Sequence, residues 1–373
     1  MDKHTDLLVV GAGVLGLATA FVAHERGQTV RVVDSDERPV GSSIQNFGHA
    51  CFTGQADDAQ DVADRARAGW LRSATAAGFW AGQPGTYIPA MTEAEAQVLH
   101  ELAAHRGPGQ VTLLSGRAVG EALGHPDLGA LSGAHLPRDM RVDPREAVPR
   151  LARWLAGEGV HLAWRTHVTA VGDGVVSTNR GEYTADQVVV CPGFGLDRLY
   201  PEIAERHGVR SSTLVMQLID RPAAVPADLA MLTGTSLTRY DAFTAMPSAA
   251  SLRAEIAERE PDLVRHTANL MVTGLADSLL VGDSHDYSQS PEPFIDEDVS
   301  ALLLDRATTY LGIAAPRVRQ RWLGRYADSP STNLVLEQPD PRTTVAVVTS
   351  GIGMTLSFGI AELALAGAPV PAR

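Results

Sequence analysis

Of the 31 lysine and arginine residues in this 373-residue chain, Lys3 is the only lysine. That excludes an internal Schiff-base lysine and a Walker-type phosphate lysine, and with them pyridoxal-phosphate enzymes and P-loop nucleotidases. Cysteine is nearly as scarce. Cys51 and Cys191 are the two present, too few for a disulfide framework or a cysteine zinc site, and no metal is expected. Cys191 lies in the apolar run QVVVCPG and reads as a buried strand residue. Cys51 is read the same way, since a free cysteine usually behaves as a small buried hydrophobe. No apolar run reaches the roughly eighteen residues that a bilayer span needs. The first apolar segment is too short, and too soon broken by glycine, for a signal peptide. A cytoplasmic location with no membrane span is the expectation. Positive charge is in deficit, with 44 acids and a net charge of −13, which argues against nucleic acid or an anionic membrane as partner. An anionic small substrate needs a local basic pocket against that field.

What the chain does have is concentrated near its start. Residues 7–10 form an uncharged apolar run, which reads as a buried parallel strand. Gly11, Gly13 and Gly16 follow at the G-x-G-x-x-G spacing, with Val14 and Leu15 between the last two. Residues 18–26 read as a helix stopped by Gly27, and residues 29–33 as the next strand. Asp34 closes it, eighteen residues after Gly16. Gly11 permits a tight turn, Gly13 lets the backbone approach a pyrophosphate, and Gly16 lets the helix pack close to the strand. The helix N-terminus offers N–H groups and the positive end of its dipole to the phosphates. Asp34 can accept both hydroxyls of a ribose, and an acid there disfavours a 2′-phosphate. The order strand, turn, helix, strand, acid reads as a dinucleotide site.

The length suits two domains. Residues 38–55 form a long polar loop, and residues 58–80 a long helix. Residues 92–100 and 115–123 read as helices opened by capping residues. Asp143 and Pro144 make an N-cap and N1 pair opening a helix to about residue 156. Short strands alternate over 160–191. Strands over 212–220, 230–233, 235–245, 269–273 and 278–282 suggest a second sheet that covers the ligand. A helix over 296–311, a strand-like stretch over 317–326, a buried strand over 344–349 and a closing helix over 359–366 complete the reading. The expected fold class is α/β (α+β). A Rossmann-like nucleotide-binding domain is split over 1–80, 141–209 and 291–373. An antiparallel-sheet substrate domain is inserted as 81–140 and 210–290.

Four stations in this order resemble the glycine oxidase, sarcosine oxidase and D-amino-acid oxidase superfamily of FAD enzymes, over nearly the whole length. They are VVGAGVLGLATAFVAHERGQTVRVVD, the loop GSSIQNFGHA, the run VVVCPGFG and the segment SGIGMTLSFG. The resemblance implies an FAD-binding domain, because a nicotinamide dehydrogenase has no need of the fourth station. It assigns to the cofactor Gly11, Gly13, Val14, Leu15, Gly16, Asp34 and Ser35, then Ser42, Ser43, Gln45, Asn46, Phe47 and Gly48 of the loop. It adds Val168, Pro192 and Gly193, and then Gly351, Gly353, Met354, Thr355 and Leu356. His49 then stands near the isoalloxazine. Neither cysteine lies in the C-terminal region where the family's covalent cysteine occurs, so the FAD is expected to be non-covalent. Gly351 and Gly353 leave backbone exposed beside a ligand, and the helix that follows aims its N-terminus there. Such a dipole stabilises the negative charge of a reduced flavin.

A narrower set of runs, VGDSHDYSQSPEPF, RWLGRYADSP and GIGMTLSFGIAE with IQNFGHA and TGQA, is similar to a bacterial subfamily associated with aminoalkylphosphonate breakdown. It implies 2-aminoethylphosphonate and its N-methyl form as substrates. Amino-acid oxidases of the wider family commonly carry W-x-G-x-R-P, whose Arg pairs with the substrate carboxylate. Here the segment is Trp322, Leu323, Gly324, Arg325, Tyr326, Ala327. The Arg is displaced by one, which in an extended strand turns it to the other face.

Flavin amine oxidation removes a hydride from the carbon beside nitrogen, and the cofactor carries that step. The protein must keep the amine neutral, place its C–H and anchor its far end, so no fixed acid–base residue is expected. Three groups are candidates for holding an anionic tail. Arg239 and Tyr240 are expected on a strand of the second sheet, His285 and Tyr287 follow the strand ending at Gly282, and Arg325 and Tyr326 precede the C-terminal segment. An Arg fork suits phosphonate oxygens. Some family members activate oxygen with a lysine beside the flavin. Here a histidine or arginine must supply that charge, or the electrons pass to an acceptor other than O2. The competing readings are a glycine, sarcosine, D-amino-acid or 2-hydroxy-acid enzyme, a flavin-binding protein without turnover, and an NAD-dependent dehydrogenase.

Overall fold

The computed structural model describes residues 4–366. The apolar runs near the start become two parallel strands, His4–Val10 and Val30–Val33. The strand Gly181–Val190 lies on the other side of the first, so that Val10 stands opposite both Val33 and Val190. These strands end in unbroken valine and leucine, the composition that a parallel sheet covered on both faces requires. Because they end level, Gly11, Asp34 and Cys191 emerge together at the carboxyl edge, where open α/β sheets bind ligands. His161–Ala163 and Thr343–Val348 extend the parallel set, and Val168–Gly172, Val175–Thr178 and Leu334–Asp340 complete an eight-stranded sheet.

On one face, Leu7, Val9 and Val32 pack with the helices Val14–Glu25, Gln60–Ala77 and Gly353–Ala366. On the other, Leu8, Val10 and Val190 pack against Leu196 and Ile203. The helices close around Phe358, whose ring meets Phe21 at 5.8 Å and Trp70 at 5.0 Å between centroids. Glycine permits this approach. A Cβ on Gly359 would lie 2.1 Å from Val62 O, and one on Gly69 2.4 Å from Phe358 Cβ. The glycines of GIGMTLSFG suggested a loop with a helix only from residue 359. Instead the helix begins at Gly353, and Gly359 lies inside it as a packing contact.

The second sheet has nine strands. Arg210–Asp220 is central to it, with Ser278–Gly282 and Asp286–Ser288 paired along one edge. Met271–Gly274, Ala230–Leu232, Thr86–Ala90, Ser132–Leu136 and Thr112–Ser115 follow outward. Two expectations change here. Val318–Asp328, assigned from sequence to the nucleotide-binding part, pairs antiparallel with Arg210–Asp220 along its length. The helix Glu297–Leu311 shares an apolar cluster with Val215, Ile219, Leu279 and Val281 of the same sheet. Residues 297–328 therefore belong with the second sheet, across the boundary expected at 291. An alternating strand carries no local mark of which sheet it joins.

The stretch 235–245, expected as a strand, is two short helices, Gly234–Leu237 and Asp241–Thr244. Its threonines and serines suggested extended chain. In place, the Thr233 and Ser236 side chains form a reciprocal capping box, satisfying local backbone instead of a ladder. Arg239 and Tyr240 thus sit in the turn between the helices.

A third sheet of three short strands, His49–Ala50, Met140–Val142 and Ala81–Gly82, completes the set. The loop before it is fastened to the second sheet at three points. Trp322 Nε1 donates to Gln45 O (3.1 Å), Thr273 Oγ1 to Phe47 O (3.0 Å) and Ser42 Oγ to Arg325 O. Among the described residues no helix is long and apolar enough to cross a membrane.

Candidate active site

A cavity of about 690 Å³ is lined by the glycine turn, the fastened loop and the second sheet together. Gly11 has φ of +101°, and a Cβ there would lie 2.4 Å from Cys191 O. A Cβ on Gly16 would lie 1.8 Å from Gly11 O, so the close helix–strand approach expected of this glycine is present. Gly13 is the N-cap of the first helix and offers no side chain of its own. One detail differs from the simple picture of free donors, because the Val14 N–H is taken by Ser43 Oγ at 2.8 Å. The loop hydroxyl therefore stands at the helix N-terminus. Asp34 accepts from Ala12 N at 2.6 Å and from Asp36 N at 2.8 Å, one bond to each oxygen. Each oxygen keeps a lone pair for a ribose hydroxyl. Burial raises the Asp34 pKa, against the pull of those two N–H groups.

Eighteen of the expected cofactor positions line the cavity. They are Gly11, Gly13, Val14, Leu15, Gly16, Asp34, Ser35, Ser42, Ser43, Gln45, Asn46, Phe47, Val168, Pro192, Gly193, Gly351, Gly353 and Met354. Gly48, Thr355 and Leu356 do not. Gly48 has φ of +65° and is pressed against Val142, where a Cβ would lie 2.0 Å from its carbonyl oxygen. Thr355 turns inward and accepts from Cys51 N at 3.2 Å. Leu356 lies a full turn inside the helix, its N–H already held by Ile352 O at 3.0 Å. The N–H groups of Gly353, Met354 and Thr355 precede that first helical bond, so the positive end of this helix borders the cavity. The fold thus supplies a glycine cradle, a ribose acceptor and a second helix terminus, and these fit FAD.

The second sheet, its connecting segments and the turn between the two short helices close the cavity with Arg239, Tyr240, Asn269, Met271, Asp283, His285 and Tyr326. Arg239 donates to the Tyr287 hydroxyl at 3.2 Å and makes no ion pair among the described residues. Tyr287 itself does not line the cavity. It braces the wall from behind, with the Arg210 guanidinium 4.3 Å from its ring centroid and His285 stacked on it at 6.1 Å. His285 also meets Tyr326 edge to face at 6.0 Å. Its Nδ1 donates to Thr267 O at 3.0 Å. Burial, and then Arg239, hold its pKa well below the usual value, so the ring is neutral with its Nε2 lone pair free. Tyr240 Oη lies 3.7 Å from Met271 Sδ, and burial raises its pKa.

Arg325 and Tyr326 divide as the displaced motif implies. Tyr326 lies beside Gly351, where a Cβ would come within 3.3 Å of its hydroxyl. Arg325, next along the strand, turns away, and its guanidinium lies 5.1 Å from the centroid of Phe194 in the turn after Cys191. Arg325 borders the same cavity but not the group around Arg239.

His49 also lines the cavity. Its Nε2 lies 2.7 Å from Thr86 Oγ1, which donates to Asp139 Oδ2 at 2.7 Å. That hydroxyl has one proton, so His49 must be the donor to it. Burial, and then Arg141, lower the His49 pKa to about 3. Cys51, two residues on and just past the strand, is buried away from the cavity, and burial holds it as the thiol.

Two site residues had no signal of their own in the sequence. Asp283 and Asn269 exchange backbone hydrogen bonds in both directions, at 2.9 and 3.2 Å. Both line the cavity, both are buried, and Oδ1 of each has no hydrogen-bond partner. Burial, opposed by Arg239, raises Asp283 to about 7. Asp283 lay within a quoted run, but a single acid there looks like any turn residue.

Comparison with known proteins agrees with this architecture. The structure is similar to glycine oxidase from Geobacillus kaustophilus (TM-score 0.76, 18% identity, 99% of this chain and 96% of that one). It is similar also to L-proline dehydrogenase from P. horikoshii (TM-score 0.79, 15% identity, 99% and 95%). A stretch of 64 residues is 41% identical to sarcosine oxidase subunit alpha of Rhizobium meliloti (strain 1021), covering 17% of this chain and only 6% of that relative's length. Residues 6–366 match the family model of the FAD dependent oxidoreductases (DAO), and the chain belongs to that family of FAD-dependent enzymes.

Proposed function

We propose that the chain oxidises a small amine with an anionic tail, 2-aminoethylphosphonate or its N-methyl derivative, to the imine and then the aldehyde. The observation that carries this reading is Arg239. It is a cation in the cavity wall, braced by Tyr287 and within the field of Asp283, but making no ion pair among the described residues. In a chain of net charge −13, such a group is a place for an anion. Tyr287, Tyr326 and Asp283 outweigh the effect of burial on Arg239 and keep it charged. Its fork suits the oxygens of a phosphonate. The turn of the displaced Arg325 toward Phe194 supports a tail held differently from an ordinary amino-acid carboxylate.

FAD, when bound, supplies the hydride acceptor. Gly11, Gly13 and Ser43 would hold its pyrophosphate, Asp34 its ribose, and the N-terminus of the Gly353–Ala366 helix its pyrimidine edge, all without a covalent bond. Tyr240, Tyr326 and Met271 exclude water from the reacting carbon. O2 or another acceptor would take the electrons from FAD, and Arg198, Arg239 and Arg325 are the arginines that border the cavity. An anaerobic bleaching screen tests the reading with glycine, sarcosine, D-amino acids, a 2-hydroxy acid, 2-aminoethylphosphonate and its N-methyl form. Fast bleaching by the phosphonates is expected. Bleaching by a carboxylate substrate alone overturns the choice of tail, and a yellow protein that no amine bleaches overturns the amine reading.

A further inference from the structure

Arg239 accounts for one end of a zwitterion, and the opposite charge also has a place in the wall. Asn269 and Asp283 stand opposite one another, joined by two backbone hydrogen bonds, and both border the cavity. Asn269 Nδ2 is spent on Met271 Sδ at 3.2 Å, which leaves Asn269 Oδ1 as a bare acceptor. Asp283 Oδ1 is a second bare acceptor, and Asp283 is only 5% exposed. A buried acceptor without a partner costs about 1–3 kcal/mol, so two on paired residues that both border one cavity point to a ligand that donates. An ammonium group donates three hydrogens and accepts none.

We infer that Asp283, with Asn269 beside it, receives the ammonium group of the substrate, and that the Asp283 carboxylate takes its proton before the neighbouring carbon is oxidised. This rests on the amine reading above and supplies the acid–base residue that the sequence did not lead us to expect. The step balances simply. One N–H bond of R–CH2–NH3+ breaks, an O–H bond forms on Asp283, and the nitrogen keeps its electron pair. The amine and the carboxylate both become neutral inside the cavity while the tail keeps its negative charge, and oxidised FAD remains the hydride acceptor.

The neighbours favour Asp283 over other groups. His285 presents a free Nε2, but burial and the Arg239 charge make it a poor proton acceptor. Asp241, also at the cavity, is held by Asn333 Nδ2 at 2.8 Å. The groups facing Asp283 are Arg239 from the turn between the short helices, Tyr240 beside it, His285 two residues on, and Tyr326 from the strand Val318–Asp328. Of these only Arg239 is charged at neutral pH. A carboxyl held near pH 7 by burial can both give and take a proton there.

The test is kcat/KM against pH for the FAD-loaded enzyme with 2-aminoethylphosphonate. With an internal acceptor the reactive pair is carboxylate plus ammonium. The profile should then rise to a plateau near pH 7 and hold it up to the amine's own pKa, about 10 by analogy with lysine. Without one only the free amine reacts, and activity should climb tenfold per pH unit through that whole range. A climbing wild-type profile overturns the inference, and this holds even if no variant folds. In Asp283→Asn the plateau should become the tenfold climb, with a loss of at least about a hundredfold at pH 7.5. Asp283→Glu should restore the plateau in part, and both should keep their flavin. An Asp283→Asn enzyme with the wild-type profile overturns the inference while leaving the amine reading intact. If no amine bleaches the wild type, both fall together.

Discussion

The Arg239 guanidinium donates to the Tyr287 hydroxyl at 3.2 Å, tying the turn between two short helices to the strand Asp286–Ser288. This fixes a cation in the wall of a cavity whose chain is acidic overall. Arg239→Met should lower kcat/KM for 2-aminoethylphosphonate by about thirty- to thousandfold, the equivalent of roughly 2–4 kcal/mol of lost charged contact. An uncharged amine of the same length should lose far less. Arg325→Met should leave the ratio between the two amines unchanged, since its guanidinium faces Phe194. Equal losses for both amines in Arg239→Met would place the anchor elsewhere.

Gly13 is the N-cap of the first helix, and a Cβ there would already stand 3.0 Å from Ser43 Oγ. A leucine fills the space through which a pyrophosphate approaches. Gly13→Leu is expected to fold and to purify colourless. Full flavin occupancy in the folded variant would show that the phosphates bind elsewhere.

Cys51 is buried outside the cavity, and Cys191 lies beside the glycine turn as a thiol whose pKa burial raises to about 12. Neither is suited to bond the flavin ring. Acid precipitation should release all yellow colour to the supernatant, and a yellow pellet would contradict this.

His49 and His285 are buried as neutral rings, with pKa values pushed below 6.5 by burial first and by a neighbouring arginine second. The unfolded chain binds protons at these positions as pH falls through about 6.5, while the folded chain does not. Folding stability should therefore drop as pH falls from about 6.5 toward 3, by up to about 1.4 kcal/mol per pH unit for each histidine. Urea unfolding at pH 7 and pH 5 measures it. His49→Gln should show the smaller difference, and an unchanged one would mean that His49 is protonated in the fold.

Phe358 fills the junction of three helices and meets two aromatic rings there. Phe358→Ala should cost about 3–5 kcal/mol. Gly69 on the facing helix and Gly359 beside Phe358 already hold the helices at close approach, so a loss under about 1 kcal/mol would mean that the packing relaxes.

The dinucleotide end of the site was legible because its signal is local. Three glycines, a helix and an acid fall within one strand–helix–strand unit, and eighteen cofactor positions reached the cavity. The second sheet was legible as strands but not as a surface. Tyr326 and Arg325 are adjacent in sequence, and only the register of Ser212 against Tyr326 and Thr213 against Arg325 separates their faces. Arg239 was read on a strand because threonine favours strands, whereas the capping box at Thr233 decides the backbone locally. Asp283 was missed because its character comes from burial opposite Asn269, and the two are joined by backbone bonds that a linear reading does not contain.

The parallel strands of the first sheet have a consequence for how the chain is made. Gly181–Val190 waits for Thr343–Val348 to pair beside it, and six of the nine strands of the second sheet are threaded between them in sequence. During synthesis the nucleotide-binding layer stays incomplete until nearly all described residues have emerged, with valine-rich strand edges exposed meanwhile. Such non-local pairing folds slowly and is open to aggregation. Release of the last strand and helix, rather than assembly of the glycine turn, then sets the moment at which the protein can first retain its cofactor.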